Sequence, residues 1–312
     1  MKIYVAGHRG LVGRAILRAL ERAGKTEIVT RGSGELDLRD QSATRAFFRA
    51  ERPDVVILAA ARVGGIGANA AFPAQFILDN LQIAANVIEA AHETGVRKLL
   101  NLGSSCIYPK FAPQPLSEDA LLTGPLEPTN RPYAIAKIAA IELCDAFRAQ
   151  YGSDFISAMP TNLYGPYDNF DLASSHVLPA LLRKMHDAKK ENAPFVPVWG
   201  SGAPRREFLH CDDLADACLF LLEHFSEPGP INVGTGEDLS IRELARIIQE
   251  VVGYDGELRF DPSQPDGTPR KLMDVSKLAA LGWTAKIPLR EGIESTYRWF
   301  LEHEQDLPRR TH

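Results

Sequence analysis

Residues 7–13 read Gly7-His8-Arg9-Gly10-Leu11-Val12-Gly13, between a short apolar run, Ile3-Tyr4-Val5-Ala6, and a helical pattern extending to about Ala23. Glycines three apart permit a tight turn, close approach of a pyrophosphate to the main chain, and close packing of helix on strand. A glycine-rich stretch alone is often only a turn, but a strand before it and a helix after it mark a dinucleotide-binding unit. Such a unit commits the chain to an α/β architecture, a Rossmann-type doubly wound parallel sheet.

At 312 residues the chain has room for a large core and for two domains, or one with a substantial lobe. Its composition, 45% hydrophobic and 24% charged, is that of a soluble globular protein. A net charge of −5 without a basic run argues against nucleic acid or an anionic membrane as partner, so local donors must hold any anionic ligand. No apolar stretch reaches the length of a membrane span, and the first strand starts too early to leave room for a signal peptide. Cys106, Cys144, Cys211 and Cys218 have neither disulfide nor metal-site spacing, which fits a reducing cytoplasm and no bound metal.

The second strand, Glu27-Ile28-Val29-Thr30, ends at Arg31. An acidic residue there suits a free ribose 2′-hydroxyl and an arginine suits a 2′-phosphate, so Arg31 and Arg9 favour NADP(H) over NAD. An Arg31 that merely faces solvent stays open, and Asp37 reads as an adenine contact or as part of a surface turn. A third strand, 53–61, ends in small residues that let a ligand lie on the backbone, and Val63 to Gly67 reads as a flexible loop. Residues 73–94 form a scaffold helix, whose Asn80 reads as solvated more readily than as a polar contact. The fourth strand brings Leu102, Gly103 and then Ser104-Ser105-Cys106 to the carboxyl edge of the sheet, where ligands collect. A serine there can bond a substrate carbonyl, and Cys106 is either a small buried hydrophobe or a reactive group. Tyr133 and Lys137 lie four apart in a helix from Pro132 to about Tyr151, and so share a face. An ammonium beside a phenol, whose free pKa is about 10, favours the phenolate and makes a proton shuttle usable near neutrality.

The glycine loop, the serine after strand four and the Tyr133-x-x-x-Lys137 pair together resemble the extended short-chain dehydrogenase/reductase superfamily. Finer motifs resemble its GDP-L-fucose synthase family over nearly the whole chain. They are Gly7-His8-Arg9-Gly10, Ser104-Ser105-Cys106-Ile107-Tyr108-Pro109, Glu127-Pro128-Thr129-Asn130, Pro160-Thr161-Asn162-Leu163-Tyr164-Gly165 and Trp199-Gly200-Ser201-Gly202. Arg206-Glu207-Phe208-Leu209-His210 and Asp266-Gly267-Thr268-Pro269-Arg270-Lys271 complete the set. The resemblance implies conversion of GDP-4-keto-6-deoxy-D-mannose to GDP-L-fucose, by inversion at C3 and C5 and then NADPH-dependent reduction at C4. It implies that Tyr133 and Ser104, with Ser105 as substitute, stabilise the enolate at the ketone oxygen, and that Cys106 and His176 act as base and acid on opposite faces. From the residues alone His176, in Ser174-Ser175-His176-Val177, reads as a loop residue about as readily as a catalyst. The cofactor would lie on Gly7 to Gly13, Arg31, Leu102 to Ser105, Lys137, Pro160 to Leu163 and His176.

In the C-terminal half, Val177 to about Lys190 is helical, and Lys184 on it reads as facing the nucleotide or as solvated. Trp199 reads as a guanosine contact, as core or as lid. Arg205 and Arg206 offer forked donors for a diphosphate; the resemblance selects Arg206, and adds Asp266 for ribose hydroxyls and Lys271 for the phosphate side. An aspartate after His210-Cys211 is expected to cap the next helix, residues 261–271 to be loop, and residues 304–312 to fray. Ile231 to Val233 reads as a strand returning to the sheet. The expected division is therefore 1–165 plus about 210–236 for NADP, and 166–209 with 237–312 as a smaller, interleaved α/β domain for the GDP-sugar. The resemblance also implies a homodimer through the long helices bearing Asn80 and Tyr133. A GDP-colitose synthase, a plain 4-keto reductase and a non-catalytic NADP sensor stay open as alternatives.

Overall fold

The computed structural model describes residues 1–264 and 266–307. Strands β1 (Ile3–Ala6), β2 (Ile28–Val29), β3 (Val55–Leu58), β4 (Lys98–Leu102) and β5 (Asp154–Pro160) lie parallel in the order β5-β4-β3-β1-β2. After β6 (Asn162–Tyr164), β7 (Phe195–Trp199), β8 (Arg205–Arg206) and β9 (Phe208–His210), strand β10 (Pro230–Val233) returns to pair with β5 and completes a six-stranded sheet. The remaining strands are β11 (Leu239–Ser240), β12 (Glu257–Asp261) and β13 (Arg270–Lys271). The helices are α1 (Leu11–Arg22), α2 (Gln41–Glu51), α3 (Ile66–Ala71), α4 (Pro73–Glu93), α5 (Arg131–Tyr151), α6 (Val177–Lys190), α7 (Cys211–His224), α8 (Ile241–Val252), α9 (Ser276–Ala280) and α10 (Leu289–His303).

Successive residues of a strand face opposite sides, and the sheet is apolar on both. Ile3, Val5, Ile57 and Leu100 face one side, against Ile16 and Leu20 of α1 and Leu214 and Leu221 of α7. Tyr4, Val56, Leu58 and Leu99 face the other, against Phe48 of α2, Val87 and Ile88 of α4, and Cys144 of α5. This double covering is the doubly wound arrangement expected from the N-terminal unit. A separate apolar cluster joins α6, α8 and α10 to β7, through Leu182, Val196, Leu244, Ile248 and Phe300. Beside it β8 pairs with β11 and β13, and β7 with β12. No helix among the described residues is long and apolar enough to cross a membrane.

Several local expectations need correction. The stretch from Val63 to Gly67 is not all loop, because α3 opens at Ile66 behind Gly65. Asn80 is buried, not solvated: its amide donates to the Arg62 and Phe76 carbonyls and its oxygen accepts the Arg62 N–H, pinning the segment before α3 to α4. Helix α7 is capped by His210, whose Nδ1 accepts the Asp212 N–H at 3.2 Å; Asp213 instead accepts the Lys286 and Ile287 N–H groups. The segment 261–271 ends in strand at both sides, Asp261 in β12 and Arg270–Lys271 in β13, and Pro265 within it lies outside the described residues. Of the tail expected to fray, Glu304–Asp306 forms a 3₁₀ turn held by Lys190, and 308–312 lie outside the described residues.

Candidate active site

The glycine loop does three separate jobs. Gly7 has φ +85°, and a Cβ there would sit 2.6 Å from the Ala60 nitrogen at the end of β3. A Cβ on Gly13 would run into Gly7 and stand 2.6 Å from the His8 Cα, so this glycine serves helix packing. Gly10 is different, since a Cβ there would meet nothing nearer than the Gly7 carbonyl at 3.7 Å. Gly10 is also the N-cap of α1 and supplies no side-chain cap for the first-turn N–H groups. An uncapped helix N-terminus at the carboxyl edge of a parallel sheet fits a dinucleotide pyrophosphate. Leu11 and Val12 complete the first turn and pack on the sheet core.

The two arginines expected at the adenosine end are not equivalent. Arg31 is bound to Glu51 at 2.6 Å and to the Thr30 carbonyl, and its guanidinium lies 5.5 Å from the Phe47 ring. Arg9 lies against Gly32, where a Cβ would be 2.6 Å from its Cζ, and its side chain is 68% exposed, with Glu35 at 3.8 Å. Arg9 is therefore the better-presented cation beside the second strand. Asp37 is occupied by Arg39, which grips both of its oxygens. His8 follows Gly7, and burial with the Arg9 charge lowers its pKa.

Helix α5 presents Tyr133 and Lys137 towards the end of β4. The Lys137 Nζ donates to the Leu102 carbonyl at 2.7 Å and lies 5.8 Å from the Tyr133 ring centroid. Phe76 of α4 meets that ring edge-on at 6.1 Å. Burial lowers the Lys137 pKa to about 8 and pushes the Tyr133 phenol up, with the Cys106 thiol adding to the rise. Desolvation is the largest influence on both groups. Ser104, extended at φ −164°, caps the 3₁₀ turn Ser105–Ile107, its hydroxyl accepting the Cys106 N–H at 3.4 Å. Ser105 is buried at 4% exposure whereas Ser104 is half-buried, which leaves Ser104 the better presented hydroxyl. Gly103 sits against Met159 of β5.

Cys106 is 8% exposed; burial raises its pKa, opposed by Lys271, the Ser104 hydrogen bond and Lys137. His176 is the N-cap residue of α6. It is open to solvent yet surrounded by protein, and this surrounding and then the Lys271 charge lower its pKa. Lys271 is thus electrostatically coupled to both groups, although they are seventy residues apart in sequence. The loop before His176 is tied across the cleft, where the Gly65 N–H donates to the Ser174 carbonyl at 3.3 Å.

Strand pairing sets Lys271 beside Arg206 in register, so two cations whose pKa values burial lowers lie on adjacent strands, a fit for a diphosphate. Asp266 accepts from the Ser201 N–H at 2.7 Å and from its hydroxyl at 2.8 Å, which fixes the turn at Gly200. Trp199 is 65% exposed, so it is not core, and Lys184 sits 5.4 Å from its ring and 3.4 Å from the Pro197 carbonyl. Pro160 ends β5, Leu163 packs on the sheet core, and the Thr161 hydroxyl and Asn162 amide donate to the Glu207 carbonyl.

Glu207 is the residue that sequence reasoning missed. It is fully buried, and its carboxylate accepts the N–H groups of Thr235, Gly236 and Met273. It therefore joins β8, the loop after β10 and the end of β13; its position inside the Arg206 motif was the one available signal. His210, Cys211 and Asp212 come within metal-ligand reach of one another, but the Arg18 guanidinium bonds Asp212 at 2.6 Å and lies 3.8 Å from the Cys211 sulfur, which opposes a cation there.

Residues 3–234 match the NAD dependent epimerase/dehydratase family. The chain belongs to that family. Among relatives in the family, probable GDP-L-fucose synthase 1 of Oryza sativa subsp. japonica is 61% identical over 97% of this chain and 92% of its own length. The GDP-L-fucose synthase of Escherichia coli (strain K12) is 56% identical over 97% of both. A solved GDP-L-fucose synthetase from Naegleria fowleri bound to NADP superposes with a TM-score of 0.91 at 32% identity, covering 98% of this chain and 96% of its own. The family resemblance read from the motifs is borne out over nearly the whole chain.

Proposed function

We propose that the protein converts GDP-4-keto-6-deoxy-D-mannose to GDP-L-fucose, by C3 and C5 epimerisation followed by NADPH-dependent reduction at C4. The observation that carries this reading is a thiol beside the Tyr133–Lys137 pair, Cys106, with an imidazole, His176, that faces the same Lys271 charge. A plain reductase needs neither group. Full-length identity to curated GDP-L-fucose synthases supports the substrate.

In this reading Arg206 and Lys271 bind the diphosphate, Trp199 and Lys184 border the guanosine, and Asp266 orients the loop between them. Ser104 and Tyr133 bond the ketone oxygen. The negative charge that develops there when a neighbouring C–H is broken is thereby stabilised. Cys106 takes that proton and His176 delivers another to the opposite face. Tyr133 then protonates the C4 oxygen while Lys137, held by the Leu102 carbonyl, orients the ribose of the cofactor. NADPH, held by the glycine loop with Arg9 at the 2′-phosphate, supplies the hydride when bound. The protein works as a homodimer joined through α4 and α5, a reading supported by exposed Leu78 and Tyr151 on those helices.

Product analysis by NMR after incubation with GDP-4-keto-6-deoxy-mannose and NADPH in heavy water tests the reaction. GDP-L-fucose with deuterium at C3 and C5 is expected. Loss of NADPH without deuterium at those carbons would leave a reductase, and loss of neither would overturn the reading.

A further inference from the structure

A base used twice must be reset. The first inversion turns the Cys106 thiolate into a thiol and the His176 imidazolium into imidazole, so before the second inversion the thiol must lose a proton and the imidazole gain one. His176 is open to solvent and can recover its proton directly. Cys106 is buried and cannot shed its proton in that way.

Beside Cys106 lies a cavity of about 20 Å³. Ser104, Tyr133, Lys137 and His176 do not line it, and it meets the site described above at Cys106 and Lys271. Its wall includes Cys106, Glu127, Asn130, Lys110 and Lys271. A water needs roughly 10–15 Å³ and two to four polar partners, and this space meets both conditions. The buried Asn130 Oδ1 has no hydrogen-bond partner among the described residues. The Glu127 carboxylate meets the Lys110 ammonium at 2.8 Å, and the two side chains are 18% and 29% exposed, which carries the cavity wall to bulk solvent. The Glu127-Pro128-Thr129-Asn130 motif has no part in the reaction as described above, and this cavity gives it one.

Resting on the reaction proposed above, we propose that Glu127 and one cavity water form the proton exit that resets Cys106 between the two inversions. The C–H bond next to the ketone breaks, its electron pair enters the enolate, and S–H forms on Cys106. The S–H bond then breaks with its electron pair staying on sulfur. The proton passes to the water as that water gives one of its own to a Glu127 oxygen, and Glu127 releases it to bulk solvent past Lys110. Glu127 acts only through Cys106, as a positioning and relay residue that never touches the sugar.

The test follows deuterium uptake from heavy water into GDP-4-keto-6-deoxy-mannose on NADP⁺-loaded enzyme, by rapid quench and mass analysis, for wild type and Glu127→Gln. Wild type is expected to take up both deuterons at comparable rates. Glu127→Gln should take up one per site at the wild-type rate and the second at least about 10²-fold more slowly, within the usual range of a lost proton-transfer group. Added formate should restore the second uptake in Glu127→Ala, which a purely structural role would not allow, and NADPH binding should be unchanged as a check of folding. Equal uptake of both deuterons in Glu127→Gln, or slowing of both without response to formate in Glu127→Ala, overturns the relay. Absence of exchange in wild type itself overturns the epimerase reading instead.

Discussion

Tyr133 and Lys137 answer burial in opposite directions, the phenol rising and the ammonium falling to about 8. The lysine is charged below that value and neutral above it. Rates of NADPH oxidation should therefore decline as pH climbs through about 8, and Lys137→Met should remove this limb together with most of the rate. Tyr133→Phe should abolish reduction while leaving some deuterium exchange at C3 and C5, supported by Ser104 alone and read by NMR; unchanged turnover would take the phenol out of the mechanism. Cys106→Ser should suppress exchange by about 10²-fold or more without weakening NADPH binding, because a hydroxyl is a far poorer base at neutral pH. The Tyr133–Lys137 pair was legible from its spacing on a helix, whereas the role expected of Cys106 came from the family resemblance. Arg31 stands at a strand end suited to a phosphate, and what its position in the sequence does not show is that Glu51, twenty residues later, binds its guanidinium. Asn80 and Glu207 were illegible because each bonds backbone groups brought close only by the folded chain.

Between secondary-structure elements, the glycine loop separates folding from binding. Gly13→Ala would drive a Cβ into Gly7 and His8, and overpacking of this kind costs about 1–3 kcal/mol. A lowered Tm is expected, with cofactor binding lost as a consequence. Gly10→Ala meets no such obstacle, so its Tm should stay near wild type while NADPH affinity falls, measured by fluorescence titration. An equal loss of Tm in both variants would show that Gly10 is structural. The strand–loop–helix order made this unit readable from sequence. The β8–β13 pairing that sets Arg206 beside Lys271 was not, since two-residue strands leave no periodic trace.

Taken as a whole molecule, the chain ties the loop after β10 and the residues after β13 to the segment between β8 and β9 through one buried carboxylate, Glu207. Glu207→Gln keeps the shape but has only one oxygen for the N–H groups of Thr235, Gly236 and Met273, so at least one of them faces an amide donor. A loss of about 1–3 kcal/mol is expected. The KM for the nucleotide sugar should rise, because Arg206 and Lys271 lose their mutual register, with the NADPH Kd unaltered. If the two constants changed together, Glu207 would be a general stabiliser only.

The late arrival of β10 also has a consequence during translation. The ribosome finishes β5 at Pro160, but the strand that covers its open edge is complete only at Val233. At about 5–20 residues per second the nascent chain carries that bare apolar edge for several seconds. An unpaired edge invites pairing with another chain, so chaperone supply over that interval should govern how much protein reaches the native state.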